Sequence, residues 1–458
     1  MNLRRNAIWN ISEVAVTALT QFVIFGFIIV HLSIASLGVW SLVFSALSFA
    51  RIADVGIAAG LVRYVARVPE SGEGAIVPLT YVETALLTNC ALYLVLGAIV
   101  FVPAQYALGM ALHGARLDEA RNLLPYAIAS FVLLNLSSVT SSSLIGFKRS
   151  DLKSILSLIA LGLQLGISWF SIQRFGLVGL AYAQIAQNAF MTIAGWILIL
   201  AIQPGRLRFR FPYNLNVRAF IEMIGYGVRL QVLTMANFLY EPATKFILSA
   251  VAGPAALGLF EAAFRLVAQA RALIVAPAQN LTPMFAAIGL AQAKDMELLY
   301  LRSTASIALV AVPGCILLTL ASPLVSLLLL KQVQLSYISW VAIMSLGWFM
   351  NIVATPAYLI GVGTGHVRWN IIACTAAALG SLVLGYLLGH AFGSIGVVIA
   401  STVAIGAGGV IVVFGNCRIA GFDTVFPSFG DYAEALLHIK GAALRVFRSH
   451  ASRHSYGR

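Results

Sequence analysis

The chain has 458 residues, 60% of them hydrophobic and only 10% charged, with a net charge of +13 and a mean hydropathy of +0.93. A soluble domain carries about 25% charged residues, so a soluble enzyme is excluded, and the positive charge reads as topology rather than as a nucleic-acid footprint. Transmembrane β-strands need about ten alternating residues each, and that pattern is absent, which leaves an all-α polytopic membrane protein.

In chain order, a basic start (Met1 to Arg5) precedes an apolar stretch without a small-x-small cleavage site, which reads as a first span rather than a leader. Apolar runs of about 20 residues then recur and predict about twelve spans, near 7–31, 34–58, 76–102, 123–146, 152–172, 177–202, 226–250, 255–289, 300–322, 340–362, 366–389 and 394–416. Pro277 and Pro283 predict a kink or an interfacial extension near the end of the eighth. Pro242, Pro313 and Pro356 interrupt other spans, as membrane helices tolerate where neighbours satisfy the freed carbonyl. The longest outer connection is 103–122, too short for a domain. The linker 203–225 is basic, with Arg206, Arg208 and Arg210. After Cys417 comes a basic tail in which Asp431 to Arg448 fits either an amphipathic surface helix or a disordered segment. About twenty of the 29 lysines and arginines fall on the N-terminal side of the membrane, which predicts an even number of spans with both termini in the cytoplasm.

The second half repeats the first. Leu37-Gly38-Val39-Trp40 returns as Leu257-Gly258-Leu259-Phe260, Leu144-Ile145-Gly146 as Leu359-Ile360-Gly361, and Phe175-Gly176-x-x-Gly179 as Phe392-Gly393-x-x-Gly396. The order and the near-constant offset, about 215–220 residues, carry the signal; such symmetry marks transporters that move one repeat against the other. The expected organisation is an N-lobe (1–202), a cytoplasmic linker (203–225), a C-lobe (226–416) and a cytoplasmic tail (417–458).

Polar residues form stripes on four of these spans. The first carries Asn10, Glu13, Thr17 and Gln21 at helical spacing; the seventh carries Gln231, Thr234, Asn237, Glu241 and Lys245. The second carries Ser41, Ser45 and Ser48, then Arg51 and Asp54; the eighth carries Glu261, Arg265 and Gln269. The repeat offset places Ser41 on Glu261 and Ser45 on Arg265. Polar faces in lipid turn toward protein or water, so four symmetry-paired stripes predict a central cavity between two six-helix lobes. Charge inside a span is costly, about 2.5–3.5 kcal/mol on insertion scales, and so points to function. The plainer alternative is that Glu241/Lys245 and Glu261/Arg265 are intrahelical pairs that only hold helices. Arg271 lies about 120° round the helix from Arg265. Glu83 in the third span has no evident partner in the sequence.

No catalytic constellation emerges. The histidines and the four cysteines lack metal-ligand spacing, and Cys90, Cys315, Cys374 and Cys417 read as packing residues. No phosphate-binding glycine loop of the GxxxxGK[ST] form is present, so no ATP site, metal or other cofactor is expected.

The basic start with Trp9-Asn10, Leu37-Gly38-x-Trp40-Ser41, Ala53-Asp54-x-Gly56, Arg63-Tyr64-Val65-Ala66, Gly146-Phe147-Lys148-Arg149-Ser150-Asp151 and Gly253-Pro254-x-x-Leu257-Gly258-Leu259-Phe260 together resemble bacterial polysaccharide and O-antigen flippases. These belong to the multidrug/oligosaccharidyl-lipid/polysaccharide exporter superfamily. The resemblance implies two six-helix lobes in a V, a cavity lined by spans one, two, seven and eight, and a bacterial inner-membrane location. It implies an undecaprenyl-pyrophosphate-linked oligosaccharide as substrate, with membrane lipids and polysaccharide assembly proteins as partners. Related peptidoglycan-precursor flippases hold pyrophosphate on cavity arginines; Arg51 and Arg265 match that role here. Lys245 and Arg271 are the further substrate-binding candidates. Glu13, Thr17, Gln21, Asn237, Glu241, Glu261 and Gln269 are the cavity or ion-coupling candidates, with H+, Na+ or the membrane potential as driving force. The rival expectations are a multidrug or metabolite cation antiporter of the same superfamily, and a polytopic glycan polymerase or ligase.

Overall fold

The computed structural model describes residues 3–48, 57–66, 77–202, 210–224, 240–289 and 292–437. Among them no strand occurs. In order they form α1 (Leu3–His31), α2 (Ile34–Ser48), α3 (Ile57–Ala66), α4 (Pro78–Ala111), α5 (Ala115–Gly146), α6 (Ser150–Ile202), α7 (217–224) and α8 (Tyr240–Val275). A 3-10 turn (Ala276–Asn280) follows, then α9 (Leu281–Ile288), α10 (Ala293–Leu330), α11 (Leu335–Val353), α12 (Thr355–Thr364), α13 (Arg368–Ala420) and α14 (429–437).

α6 and α13 are each 53 residues long. At 1.5 Å per residue such a helix would run about 80 Å, against a hydrocarbon core of about 30 Å, so each must turn back. The turns are at Gly176 (φ 57°) and Gly393 (φ 64°), the repeat-related glycines, in a region of backbone space that side chains disfavour. Three residues on, a Cβ at Gly179 would lie 2.4 Å from the carbonyl oxygen of Ser171, and one at Gly396 would lie 2.0 Å from that of Leu388. The repeated Phe-Gly-x-x-Gly is thus a hinge followed by a close approach. α8 breaks likewise at Gly253 (φ 78°). With these breaks the helices account for about twelve crossings.

The kink expected at Pro277 is the 3-10 turn itself. Two connections are shorter than the sequence suggested. α4 continues through Pro103 and α5 starts before Pro125, leaving only 112–114 between them. α10 continues through Pro323, leaving 331–334.

The chain divides into two compact units, Met1–Glu261 and Ala262–Arg458. The core of the first gathers Ile57, Leu61, Tyr81, Val82, Leu144, Leu156 and Trp196, with Ala219 and Met223 of α7. The core of the second gathers Val275, Phe285, Met296, Tyr300, Leu359, Ile360 and Cys417. Within the second, Asn416 Nδ2 donates to Asn370 Oδ1 (2.6 Å) and to the carbonyl of Ala357 (2.9 Å), a buried polar lock beside Gly361.

Candidate functional site

α2 and the second half of α8 cross within the first unit. A Cβ on Gly38 would sit 1.9 Å from the carbonyl oxygen of Pro254, and one on Gly258 would sit 1.9 Å from that of Ile34. The four residues are two repeat-related pairs at the same offset, so the contact is reciprocal, and only glycine permits it. Backbones this close leave no room for lipid or water between them.

One turn further along both helices, Ser41 Oγ donates to Glu261 Oε2 at 2.7 Å, joining another repeat-related pair. Lys245 Nζ lies 2.6 Å from the same Glu261 oxygen and 2.6 Å from Glu241 Oε1. Lys245 and Glu261 side chains are 2% and 3% exposed, whereas Glu241 is 37% exposed. A lone buried ammonium would be prohibitive; two carboxylates make its burial tolerable. Ser249, one turn past Lys245, donates to the carbonyl of Ala111 (3.3 Å), which ties α8 to the C-terminal end of α4. The Gly253 break allows this geometry, because it folds Lys245 back against a carboxylate sixteen residues later in the chain.

The other candidates lie elsewhere. Glu13 is absorbed within the first unit: Lys153 Nζ lies 2.5 Å from Oε1, and Ser154 Oγ donates to Oε2 at 2.7 Å. Thr17 and Gln21 are half-buried further along α1. Arg265 and Gln269 are half-buried on α8, one and two turns beyond Glu261. Arg271 belongs to the second unit, where Nε donates to Asn351 Oδ1 (2.9 Å) and the guanidinium lies 5.2 Å from the Trp348 ring centroid. Arg51 and Asn237, with the side chain of Asn10 and residues Gln231 and Thr234, fall outside the described residues. Glu83 does have a partner: Arg210 of the linker reaches it at 3.0 Å.

Sequence reasoning set Ser41 and Glu261 at equivalent repeat positions without predicting their contact, and it paired Glu241 with Lys245 through helical spacing. It missed the Lys245–Glu261 contact, which depends on the Gly253 break, and the Glu13–Lys153 contact, for which Lys153 gave no signal beyond a basic residue at a span end.

A sequence model described as polysaccharide biosynthesis protein matches residues 80–336. No curated protein matches the chain significantly. Among solved structures, the lipid II flippase MurJ in an inward closed conformation aligns with a TM-score of 0.71 at 13% identity, covering 97% of this chain and 92% of that one. An inward-facing multidrug resistance MATE family transporter of the MOP superfamily aligns at 0.68 with 16% identity, covering 88% and 94%. An outward-facing one aligns at 0.62 with 15% identity, covering 92% and 96%. At these identities the likeness concerns the fold.

Proposed function

From the premise that this chain belongs to the polysaccharide biosynthesis protein family, we propose that it is a flippase. Its cargo would be a polyprenyl-pyrophosphate-linked oligosaccharide, carried from the inner to the outer leaflet of the bacterial inner membrane by alternating access. The observation that carries the reading is the buried Ser41–Glu261–Lys245 cluster on repeat-related helices of a membrane-spanning chain. Charge at such a position is costly and marks a path or a moving contact.

A pyrophosphate cannot enter hydrocarbon unaided, because burying unpaired charge is prohibitive. In this reading Arg265, with Arg51 nearer the cytoplasm, replaces its hydration, while the polyprenyl chain stays in lipid. Lys245 is held by two carboxylates in the arrangement described and becomes available only when the α2–α8 crossing parts. The repeats 1–202 and 226–416 are the moving halves. Outward movement of each net negative charge is favoured by about 2.3 kcal/mol per 100 mV when the outside is positive. Glu241 is the candidate for cation coupling, being the exposed member of its cluster. Glu13, fully engaged by Lys153 and Ser154, fits a structural role better. No ATP is required.

A second reading, a cation antiporter, draws on the acidic pair Glu241/Glu261, but Lys245 already occupies the position between the two carboxylates where a cation would have to bind. A glycan polymerase needs outer loops large enough for catalytic groups, and 112–114 and 331–334 are not. The deciding experiment deletes the gene and identifies what accumulates in the inner leaflet. A lipid-linked oligosaccharide that returns to normal on complementation is expected; unchanged lipid-linked glycans with altered cation or drug tolerance would overturn the flippase reading.

A further inference from the structure

Each repeat ends in the same device. After the sixth crossing, residues 210–216 pass, without regular structure, over the first two turns of α4. Thr84 Oγ1 donates to the carbonyl of Asn214 (3.2 Å) and accepts from the amide of Asn216 (3.1 Å). Arg210 pairs with buried Glu83, and Tyr81 and Tyr64 donate to the side chain and carbonyl of Glu222 on α7 at 2.6 and 2.7 Å. After the twelfth crossing, residues 421–428 run over the start of α10. Glu297 accepts from the hydroxyl and amide of Thr424 (2.5 and 2.7 Å), Tyr300 donates to the carbonyl of Val425 (3.0 Å), and Arg302 pairs with Glu434 of α14 at 2.9 Å. Both segments contain Phe-Pro (Phe211-Pro212, Phe426-Pro427) followed by a capped helix. Asn216 Oδ1 accepts from the amide of Ala219 (3.0 Å), and Ser428 and Asp431 cap each other.

Both devices bury one face and leave the other apolar and exposed. Ala219 and Met223 are buried under α7, and Ala435 is buried under α14. On the far side, Phe211 (76% exposed), Tyr213, Leu215 and Val217 alternate along the irregular stretch and lead to Ile221 one turn into α7. On α14, Phe429 (96% exposed), Leu436 and Leu437 share one helical stripe. The linker adds charge: within 203–224, Arg206, Arg208, Arg210 and Arg218 face a single acid, Glu222. The segment is bonded through Asn214 and Asn216 to Thr80 and Thr84, in the first two turns of a helix long and apolar enough to cross a membrane. Aromatic, aliphatic and arginine side chains at the start of such a helix are the composition of a membrane-surface segment.

We propose that residues 210–224, with Arg206 and Arg208 just before them in the sequence, form an in-plane anchor that binds anionic phospholipid headgroups of the adjacent leaflet; α14 is the repeat-related counterpart in its exposed apolar face alone. The occupant is lipid rather than a protein partner, because the apolar row adjoins the start of a helix that can span a membrane and the positive charge within 203–224 of the sequence complements an anionic surface. The inference needs only the membrane reading, so it stands or falls independently of the cargo.

The test uses the full chain with its native cysteines changed to alanine and a nitroxide at Leu215→Cys, in nanodiscs of phosphatidylglycerol and phosphatidylcholine. The label is expected to collide with oxygen more than with a water-soluble nickel chelate. The Arg206→Gln/Arg208→Gln/Arg218→Gln variant is expected to lose preference for phosphatidylglycerol in its lipid shell by about five-fold per arginine, the equivalent of about 1 kcal/mol per basic residue near an anionic surface. Hydrogen exchange of residues 211–224 in the unmodified chain gives a second readout, slower in phosphatidylglycerol discs. A label as open to nickel as one in water, or protection that appears only when a membrane extract is added, would overturn the proposal, the latter in favour of a protein partner.

Discussion

Lys245 lies between two carboxylates, and the three members of the cluster differ in what their loss exposes. Lys245→Met takes the ammonium away from buried Glu261 and is expected to cost about 3–5 kcal/mol, read as a lowered Tm in detergent and a lower folded yield. Glu261→Gln leaves the ammonium on half-exposed Glu241, so its effect on Tm is expected to be smaller. The double variant Lys245→Met/Glu261→Gln removes both charges and should recover most of the yield; a double variant as unstable as Lys245→Met alone would contradict the account. Arg265 is expected to behave differently. Losing a charge-assisted hydrogen bond to pyrophosphate costs about 1.5–3 kcal/mol, or about ten- to a hundredfold in affinity. Arg265→Ala should therefore insert normally but fail to flip in reconstituted vesicles, with Arg265→Lys keeping part of the activity because charge survives without the fork. Normal flipping by Arg265→Ala would remove it from the cargo path. The repeat marked Ser41 and Glu261 as equivalent polar positions without predicting their contact; the cluster was legible in the sequence where helical spacing joins two residues, as for Glu241 and Lys245. It was illegible where a backbone break does, as for Lys245 and Glu261, since sixteen residues of chain fix no distance until Gly253 turns it.

At the level of elements, the breaks at Gly176 and Gly393 follow from the sequence, because a positive φ demands glycine and the repeat supplies it twice. The ends of α4 and α10 did not follow. Pro103 and Pro323 look like stops by soluble-protein rules, yet both lie inside helices, where neighbouring groups satisfy the freed carbonyls. The α2–α8 crossing is sensitive to a single carbon. A Gly258→Leu side chain cannot fit against the carbonyl of Ile34, and overpacking of this kind costs about 1–3 kcal/mol. The crossing should open, so that a Ser41→Cys thiol reacts with a membrane-impermeant maleimide in Gly258→Leu but stays protected with Gly258 intact; equal protection in both would mean the crossing is not the seal. In the second unit, Glu297 secures the tail. Burial pulls its pKa upward, but the Thr424 hydroxyl and amide, the Asp423 amide and the Lys294 charge outweigh this and hold it below the ordinary 4.5. A carboxylate depressed in the folded state contributes above its unfolded pKa and loses that contribution as pH falls through the folded value. Exchange protection of 421–437 is therefore expected to be constant from neutral pH to about 5 and to fall below about 4.5, a fall that Glu297→Gln abolishes by removing the protection at every pH.

For the molecule as a whole, composition and charge bias settle the class and predict the sidedness. Cysteine labelling is expected to find 112–114 and 331–334 outside, and 203–218 and the tail inside. A tail found outside would mean an odd number of crossings and would dismantle the paired-repeat reading. The matching Phe-Pro segments that close each half have a further consequence. Six crossings return the chain to the side it started from, and each half brings its own docked surface helix, so neither depends on which comes first. The gene could be cut within 203–209 and rejoined through a short flexible link from the tail to Met1, giving a circular permutant whose halves are transcribed in the opposite order. Such a chain is expected to insert with unchanged orientation and to complement a deletion strain. Insertion upside down would show that the order of the halves, and not their internal symmetry, sets the topology.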